Sequence, residues 1–348
     1  MTSLDVQGAF NSAWWPSVLK ALKEAECPIN LYRLSQGYFS QRKAVITTNS
    51  ISIDREVTKG CPQGSCSGPS FWNIMYNSLF QLEFTRQTKV IAFADDLVIL
   101  TKGDTTAEAE NYMNLELQKI SNWAQNNKLK FNENKSKTML LSRRRRKERK
   151  EVELYVNNRI IEQVNTIKYL GIILDNKLTF REHVNCMEEK CSKLIFSLSR
   201  SAKISWGLKH KALKTIYAGG TLPLILYGAP VWKGAMDIKC YKTKLIRIQR
   251  LMNIRIARAY RTVSNEALCV TTGLIPINIK IEETAQYYER AKRQENLMDR
   301  EMEMKHWTHP ASTVVIEGGQ EDAKCKIEAF TDGSKTEQGV GSGIVLYI

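Results

Sequence analysis

Apolar residues recur along this chain with two periods. Up to about residue 175, short β-rich runs alternate with stretches of helical spacing; beyond it helical spacing prevails until two more β-rich runs near the C-terminus. Residues 1 to 6 read as one strand. Trp15 to Ala25 then carries Val18, Leu19, Leu22 and Ala25 on one helical face, with Pro16 suited to a first turn. A second helix is predicted from Pro28 to about Phe39, followed by a hairpin of Lys43–Ile46 and Ile51–Ile53. The glycines and prolines of Gly60 to Pro69 impose an irregular loop, after which Phe71, Ile74, Met75, Leu79 and Leu82 open another helix. Two apolar runs, Lys89–Ala92 and Leu97–Leu100, enclose Phe93-Ala94-Asp95-Asp96 and predict strand, turn, strand. Thr105 with Glu108 forms a capping box for a helix reaching about Asn127 along Ala109, Tyr112, Met113, Ile120, Trp123 and Ala124. Strands return at Glu151–Val156 and Arg159–Gln163, joined by Asn157-Asn158, a pair that tolerates the positive φ of a tight turn. This is an α+β pattern.

After Asp175 the pattern is helical. Thr179 and Glu182 read as a second capping box ahead of Val184, Met187, Cys191, Leu194, Ile195 and Leu198. Helical spacing recurs over residues 209–217, 239–258, 264–272 and 281–304. Residues 327–334 and 339–346 then read as a hairpin with an acid, Asp332, at the end of its first strand.

Composition narrows the function class. A length of 348 residues allows two or three domains, and a 43% hydrophobic share is that of a folded chain. Fifty-one Lys and Arg against 36 Asp and Glu leave a charge of +15, which calls for a polyanionic partner; without a long apolar span, nucleic acid is favoured over membrane. The eight cysteines lack framework spacing, which suits reduced thiols in an intracellular protein. His183, Cys186 and Cys191 share one amphipathic stretch and lack a fourth zinc ligand. Arg143 to Lys150, with seven basic residues in eight, reads as a template-backbone contact, a nuclear import signal or a solvated loop.

A lone Asp-Asp pair between strands is ordinarily a solvated turn. Here it follows Leu4-Asp5-Val6-Gln7-Gly8-Ala9-Phe10 and the Gly60–Pro69 loop, and precedes Lys168-Tyr169-Leu170-Gly171-Ile172-Ile173-Leu174. In that order and at those spacings the four segments resemble the palm motifs of reverse transcriptases, and the wording of the loop and of Phe93–Leu97 resembles the non-LTR (LINE-type, Jockey- or I-like) retrotransposon branch.

The resemblance implies a reverse-transcriptase palm over residues 1–175, a helical thumb and connection over 176–310, a linker over 311–326 and the start of a ribonuclease H-like domain over 327–348, with Asp332 as its first acid. It implies RNA-templated DNA synthesis from a DNA primer and deoxynucleoside triphosphates, using Mg²⁺ or Mn²⁺. Asp5, Asp95 and Asp96 become the catalytic, metal-holding acids, with Asp5 and Asp95 bridging and Asp96 giving structural support or occasional coordination; Phe10 lies under the incoming sugar; Gln63 and Gly64 touch nucleotide and template; Tyr169, Leu170 and Gly171 form the primer grip. One of Lys128, Lys130, Lys135 and Lys137 faces the phosphates, and Lys190, Lys193, Arg200 and Lys203 suit a duplex grip. Met1 stands four residues before Asp5, so the fingers of the family are absent, and the expectation is weak catalysis by this chain alone. The competing expectation is a nucleic-acid-binding remnant without turnover.

Overall fold

A computed structural model describes residues 1–48, 51–62, 64–142, 151–201, 208–293, 328–336 and 339–347. Gln63 and the basic run Arg143–Lys150 lie outside the described residues. The chain divides into two units, Met1–Ala291 and Lys292–Ile348.

In the first unit, β1 (Thr2–Asp5) is followed by the short helix α1 (Ala9–Ser12), by α2 (Trp15–Glu24) and by α3 (Ile29–Phe39). Next come the hairpin β2 (Lys43–Thr48) and β3 (Ile51–Glu56), helix α4 (Ser67–Asn77), strands β4 (Thr88–Phe93) and β5 (Asp96–Thr101), and helix α5 (Thr106–Asn126). Short strands β6 (Lys137–Thr138), β7 (Tyr155–Val156), β8 (Arg159–Ile160) and β9 (Glu162–Gln163) lead to β10 (Thr166–Tyr169) and β11 (Ile172–Asp175). One five-stranded sheet runs β4-β5-β1-β6-β9, antiparallel except where β9 joins β6.

Strand alternation sorts the side chains of this sheet. Thr2, Leu4 and Val6 are buried along one face of the first strand, and Leu97 and Ile99 oppose Leu4 and Thr2 on the next. Trp72, Met75, Tyr76 and Leu79 of α4 and its 3₁₀ extension, and Met113, Leu117 and Ile120 of α5, join the same core. Each fully buried side chain of this size contributes about 1.5–3 kcal/mol. Thr105 caps α5 as its spacing predicts, its Oγ1 accepting from Glu108 N at 3.1 Å while Glu108 Oε2 accepts from Asp104 N at 2.9 Å. Asn157 and Asn158 both take positive φ, +50° and +62°, between β7 and β8, but those strands are two residues each, shorter than expected.

The helical part of this unit holds α6 (Arg181–Ser201), α7 (His210–Ile216), α8 (Leu222–Leu226), α9 (Ala229–Trp232), α10 (Lys239–Ala257), α11 (Asn265–Thr272) and α12 (Ile277–Arg293). A second core forms around α10, whose Leu245, Ile248 and Met252 meet Val184, Cys191 and Ile195 of α6 and Leu213 of α7. Lys190 and Lys193 of α6 are exposed, the latter paired with Glu189; the Arg200 side chain and Lys203 lie outside the described residues.

One expected cap differs. The Thr179 hydroxyl donates to Asp175 Oδ2 at 3.2 Å instead of capping Glu182, and Asp175 also accepts from Lys177 N, Thr179 N and Phe180 N at 3.0, 3.1 and 2.5 Å. The linker needs this because Leu178 and Phe180 both have positive φ, which a single buried carboxylate with four donors can hold. In the second unit β12 (Glu328–Thr336) pairs antiparallel with β13 (Gly339–Tyr347). Asp332 opposes Gly343 and so lies within its strand, not at the end, because the pairing continues to Thr336.

Candidate active site

The antiparallel register of β1 and β5 sets Asp5 directly opposite Asp96. Opposed residues project to the same face, with Cβ atoms about 4.5–5.5 Å apart. That face is the one turned away from Leu4 and Leu97. Phe93, the Asp96 partner on β4, is 64% exposed beside them. Asp95 occupies the two-residue turn with Ala94, whose φ of +54° is unusual for a residue with a Cβ and costs about 1 kcal/mol. Trp72 offsets that strain: its indole N–H donates to the Ala94 carbonyl at 3.0 Å, and its fully buried ring stacks on Tyr76 at 5.1 Å and packs on Phe10 at 5.4 Å.

Asp96 feels both of the other acids. Burial, then Asp95, then Asp5 hold the Asp96 carboxyl above the usual carboxylate range. Burial first and the charges of Asp95 and Asp96 next push the Tyr76 phenol up; Tyr169 is raised by burial and by Asp96. Both hydroxyls are buried and have no hydrogen-bond partner among the described residues. The backbone of Asp5 is fixed by Asn132, whose N–H donates to its carbonyl at 2.8 Å, and by Ser136 Oγ, which accepts its N–H at 3.2 Å. This clamp brings Lys135 Nζ to 4.0 Å from Asp5 Oδ2, an exposed pair of small energetic weight. Of the four lysines expected near phosphate, Lys135 is thus beside the acids, whereas Lys128 lies over Trp14 and Lys137 pairs with Glu162.

Among the described residues no three His, Cys, Asp or Glu side chains close around one point as a metal cage would. Asp5, Asp95 and Asp96 are brought to one sheet tip without forming such a cage. Their donor set is carboxylate oxygen alone, the type hard divalent cations take, and the Asp96 carboxyl is raised by burial first and by its two acidic neighbours next.

The Gly60–Pro69 loop is tied to the Phe10 segment. Gly60 N donates to Ala13 O and Cys61 N to Phe10 O, each at 2.7 Å, and Trp15 Nε1 donates to Gly60 O at 2.8 Å. Gly68 is required at the helix entry, since a Cβ there would lie 2.7 Å from Pro62 O. Gly64, at φ +81°, faces open space; Gln63 lies outside the described residues. Phe10, Pro69, Asn73, Tyr76, Phe93 and Ala94 line a hollow of 440 Å³ beside the turn. A second hollow of 450 Å³, lined by Thr101, Thr105, Met113, Met139 and Leu154, opens at the far end of β5, remote from the acids.

The run Lys168–Leu174 is two strands and not one. Tyr169 pairs with Ile172, and Leu170 and Gly171, at φ +44° and +82°, make the turn between them. A glycine in a β-rich run fits a tight turn as well as a strand, so local sequence does not separate the two. Trp72 and Tyr76 carry no signal in the sequence motifs, whereas Lys135 is one of the four lysines expected near phosphate. Gly68, Trp72, Met75, Tyr76 and Leu79 form the buried side of α4 and the turn after it, a spacing legible beforehand had the stripe been started at Gly68 instead of Phe71.

Residues 1–174, half of the chain, match the model of the family described as reverse transcriptase (RNA-dependent DNA polymerase). The chain is 31% identical over 278 residues to the putative 115 kDa protein in type-1 retrotransposable element R1DM of Drosophila melanogaster, and 30% identical over 278 residues to the retrovirus-related Pol polyprotein from type-1 retrotransposable element R1 of Bradysia coprophila. Both matches cover 80% of this chain and 27% of the relative. The RNA-directed DNA polymerase from mobile element jockey of Drosophila melanogaster is 27% identical over 267 residues, covering 74% of this chain and 28% of the relative. The chain therefore spans about a quarter of the length of these curated relatives. An acid pair on a hairpin tip, a third acid opposed to it across the sheet and a family match that ends one residue before Asp175 agree: the chain belongs to the reverse transcriptase (RNA-dependent DNA polymerase) family, in its non-LTR retrotransposon branch.

Proposed function

We propose that this chain performs RNA-templated nucleotidyl transfer onto a DNA primer, as a palm (1–175), a thumb and connection (176–310) and the start of a ribonuclease H-like domain (327–348) with Asp332 as its first acid. The observation that carries the reading is the Asp5–Asp96 register beside Asp95, which gathers three carboxylates on an exposed sheet tip.

Asp5 and Asp95 hold divalent cations, Mg²⁺ or Mn²⁺, with Asp96 adjacent. When bound, such ions supply Lewis acidity toward phosphoryl oxygens and a more acidic primer hydroxyl. The other groups bind and orient. Phe10, braced on Trp72, is a flat wall for the sugar, and its size works against a 2′ hydroxyl. Gln63 and Gly64 touch nucleotide and template. Lys135 offers a mobile cation within 4.0 Å of Asp5 for the triphosphate. Tyr169, Leu170 and Gly171 support the primer end. Charge neutralisation and positioning of this kind supply most of the acceleration in phosphoryl transfer. The charge of +15 supplies phosphate affinity, and the Arg143–Lys150 run serves as a template contact, a nuclear import signal or a solvated loop. Among the described residues no helix is long and apolar enough to cross a membrane.

The charge of +15 gives phosphate affinity with or without chemistry and so favours one other reading, a nucleic-acid-binding remnant without turnover. Primer extension on an RNA template with Mg²⁺ or Mn²⁺ separates them. Incorporation by the wild type that is lost in Asp95→Asn supports the polymerase. Equal duplex binding by both proteins with no incorporation by either supports the remnant.

A further inference from the structure

The Leu170–Gly171 turn does not stand free. The Tyr227 hydroxyl donates to Leu170 O at 2.8 Å, and the Tyr227 ring lies so close to Gly171 that a Cβ there would be 3.0 Å from Cε1. Tyr227 is itself held on the helical side. Its N–H donates to Pro223 O at 3.0 Å, and its carbonyl accepts from the indole N–H of fully buried Trp232 at 2.9 Å. The next residue, Gly228, turns the chain at φ +63° and lies against Ile172; a Cβ there would be 2.5 Å from Ile172 Cδ1. On the other flank of the hairpin, buried His183 accepts the Ile173 N–H at Nδ1, 3.4 Å, and its ring meets that of Trp232 at 5.9 Å.

Tyr227 joins α8 to α9 and is 56% exposed, so core packing does not account for it. Its polar end and one ring edge are both spent on the turn. Leu170 adopts a φ of +44° although it has a side chain, a conformation that persists where surroundings over-determine it. The contacts from Tyr227 and Gly228 are such surroundings. Beside the His183 bond to Ile173, they link the turn itself to the second hydrophobic core.

We propose that Tyr227 is a positioning residue that locks the Leu170–Gly171 turn to the helical part of the chain, so that the turn and the α6–α10 core move as one body and fix where a primer end rests beside the acid tip. The inference rests on the polymerase reading for its functional consequence and on geometry alone for the lock. Tyr227 bonds to the Leu170 carbonyl and not to the acids, so its effect is exerted through the turn.

The test uses the full chain carrying Tyr227→Phe, which keeps the ring, and Tyr227→Ala, which removes it. Amide hydrogen exchange over residues 166–175 reads the lock, and primer-extension kinetics read its use. Loss of one hydrogen bond is expected to speed exchange in the hairpin about tenfold in Tyr227→Phe, and more in Tyr227→Ala, with the melting temperature of Tyr227→Phe near that of wild type. The KM for primer–template rises about tenfold while the KM for the deoxynucleoside triphosphate stays unchanged. Wild-type exchange in both variants overturns the lock. Faster exchange with unchanged kinetics overturns the positioning role. A wild-type chain that extends no primer defeats the polymerase reading instead, and with it the positioning role, while the exchange measurement still decides the lock.

Discussion

The strained turn at Ala94-Asp95 has one visible support on its helical side, the indole of Trp72, and Trp72→Phe removes it with little other change. The phenyl ring keeps contact with Tyr76 and Phe10 but cannot donate to the Ala94 carbonyl, now served at 3.0 Å. Losing that bond costs about 1 kcal/mol, at the lower end of the range because Ala94 is exposed and its carbonyl recovers some hydration. Trp72 is fully buried, so replacing two fused rings by one opens a void of a few tens of Å³ and costs about 1 kcal/mol more, at roughly 24 cal/mol per Å³. The expected loss is therefore about 2 kcal/mol, read as a lower urea midpoint at unchanged slope in chelator. A loosened turn also misplaces Asp95 and Asp96. Primer extension should fall by about a hundredfold for a displacement near 1 Å, and raised Mg²⁺ should restore part of it. Stability within about 0.5 kcal/mol of wild type, together with unchanged extension, would refute the claim that Trp72 holds the turn.

Two further outcomes follow from the acids. Asp96→Asn should raise the melting temperature in chelator at neutral pH, because the folded state raises the Asp96 carboxyl above its unfolded value and so loses stability as pH rises through the folded value. The gain should shrink as pH falls into the carboxylate range, and Mg²⁺ should stabilise the wild type more than the variant; a gain that grows on acidification would contradict the assignment. Asp175→Asn should lower stability by about 1–3 kcal/mol, since an amide NH₂ in place of Oδ2 leaves the Phe180 N–H facing a donor and makes the Thr179 hydroxyl turn round to accept. Thermal denaturation measures this, and a neutral result would show that the positive-φ linker before α6 is held by other contacts.

Much of the scaffold was legible in local pattern. The helices at Trp15, Ile29, Thr106 and Arg181, the Asp-Asp hairpin and the Asn157-Asn158 turn follow from spacing, because side chains repeat on one face with the period of the element that carries them. The α5 cap was legible for the same reason, since Thr105 and Glu108 act within one turn. The Thr179 cap was not: an equally good local partner lost its hydroxyl to Asp175, a buried carboxylate whose folded surroundings local spacing does not reveal.

Local sequence dictates the kind of element at most places and marks out Asp5, Asp95 and Asp96, because backbone propensity, periodicity and motif spacing are properties of neighbouring residues. It takes the folded chain to set Asp5 against Asp96, to bring Trp72 and not Phe71 to the turn, to put Lys135 beside Asp5, and to join Tyr227 to Leu170 across 57 positions. Those contacts depend on strand register and on which helix face turns inward, and both are settled by burial of the whole core at once.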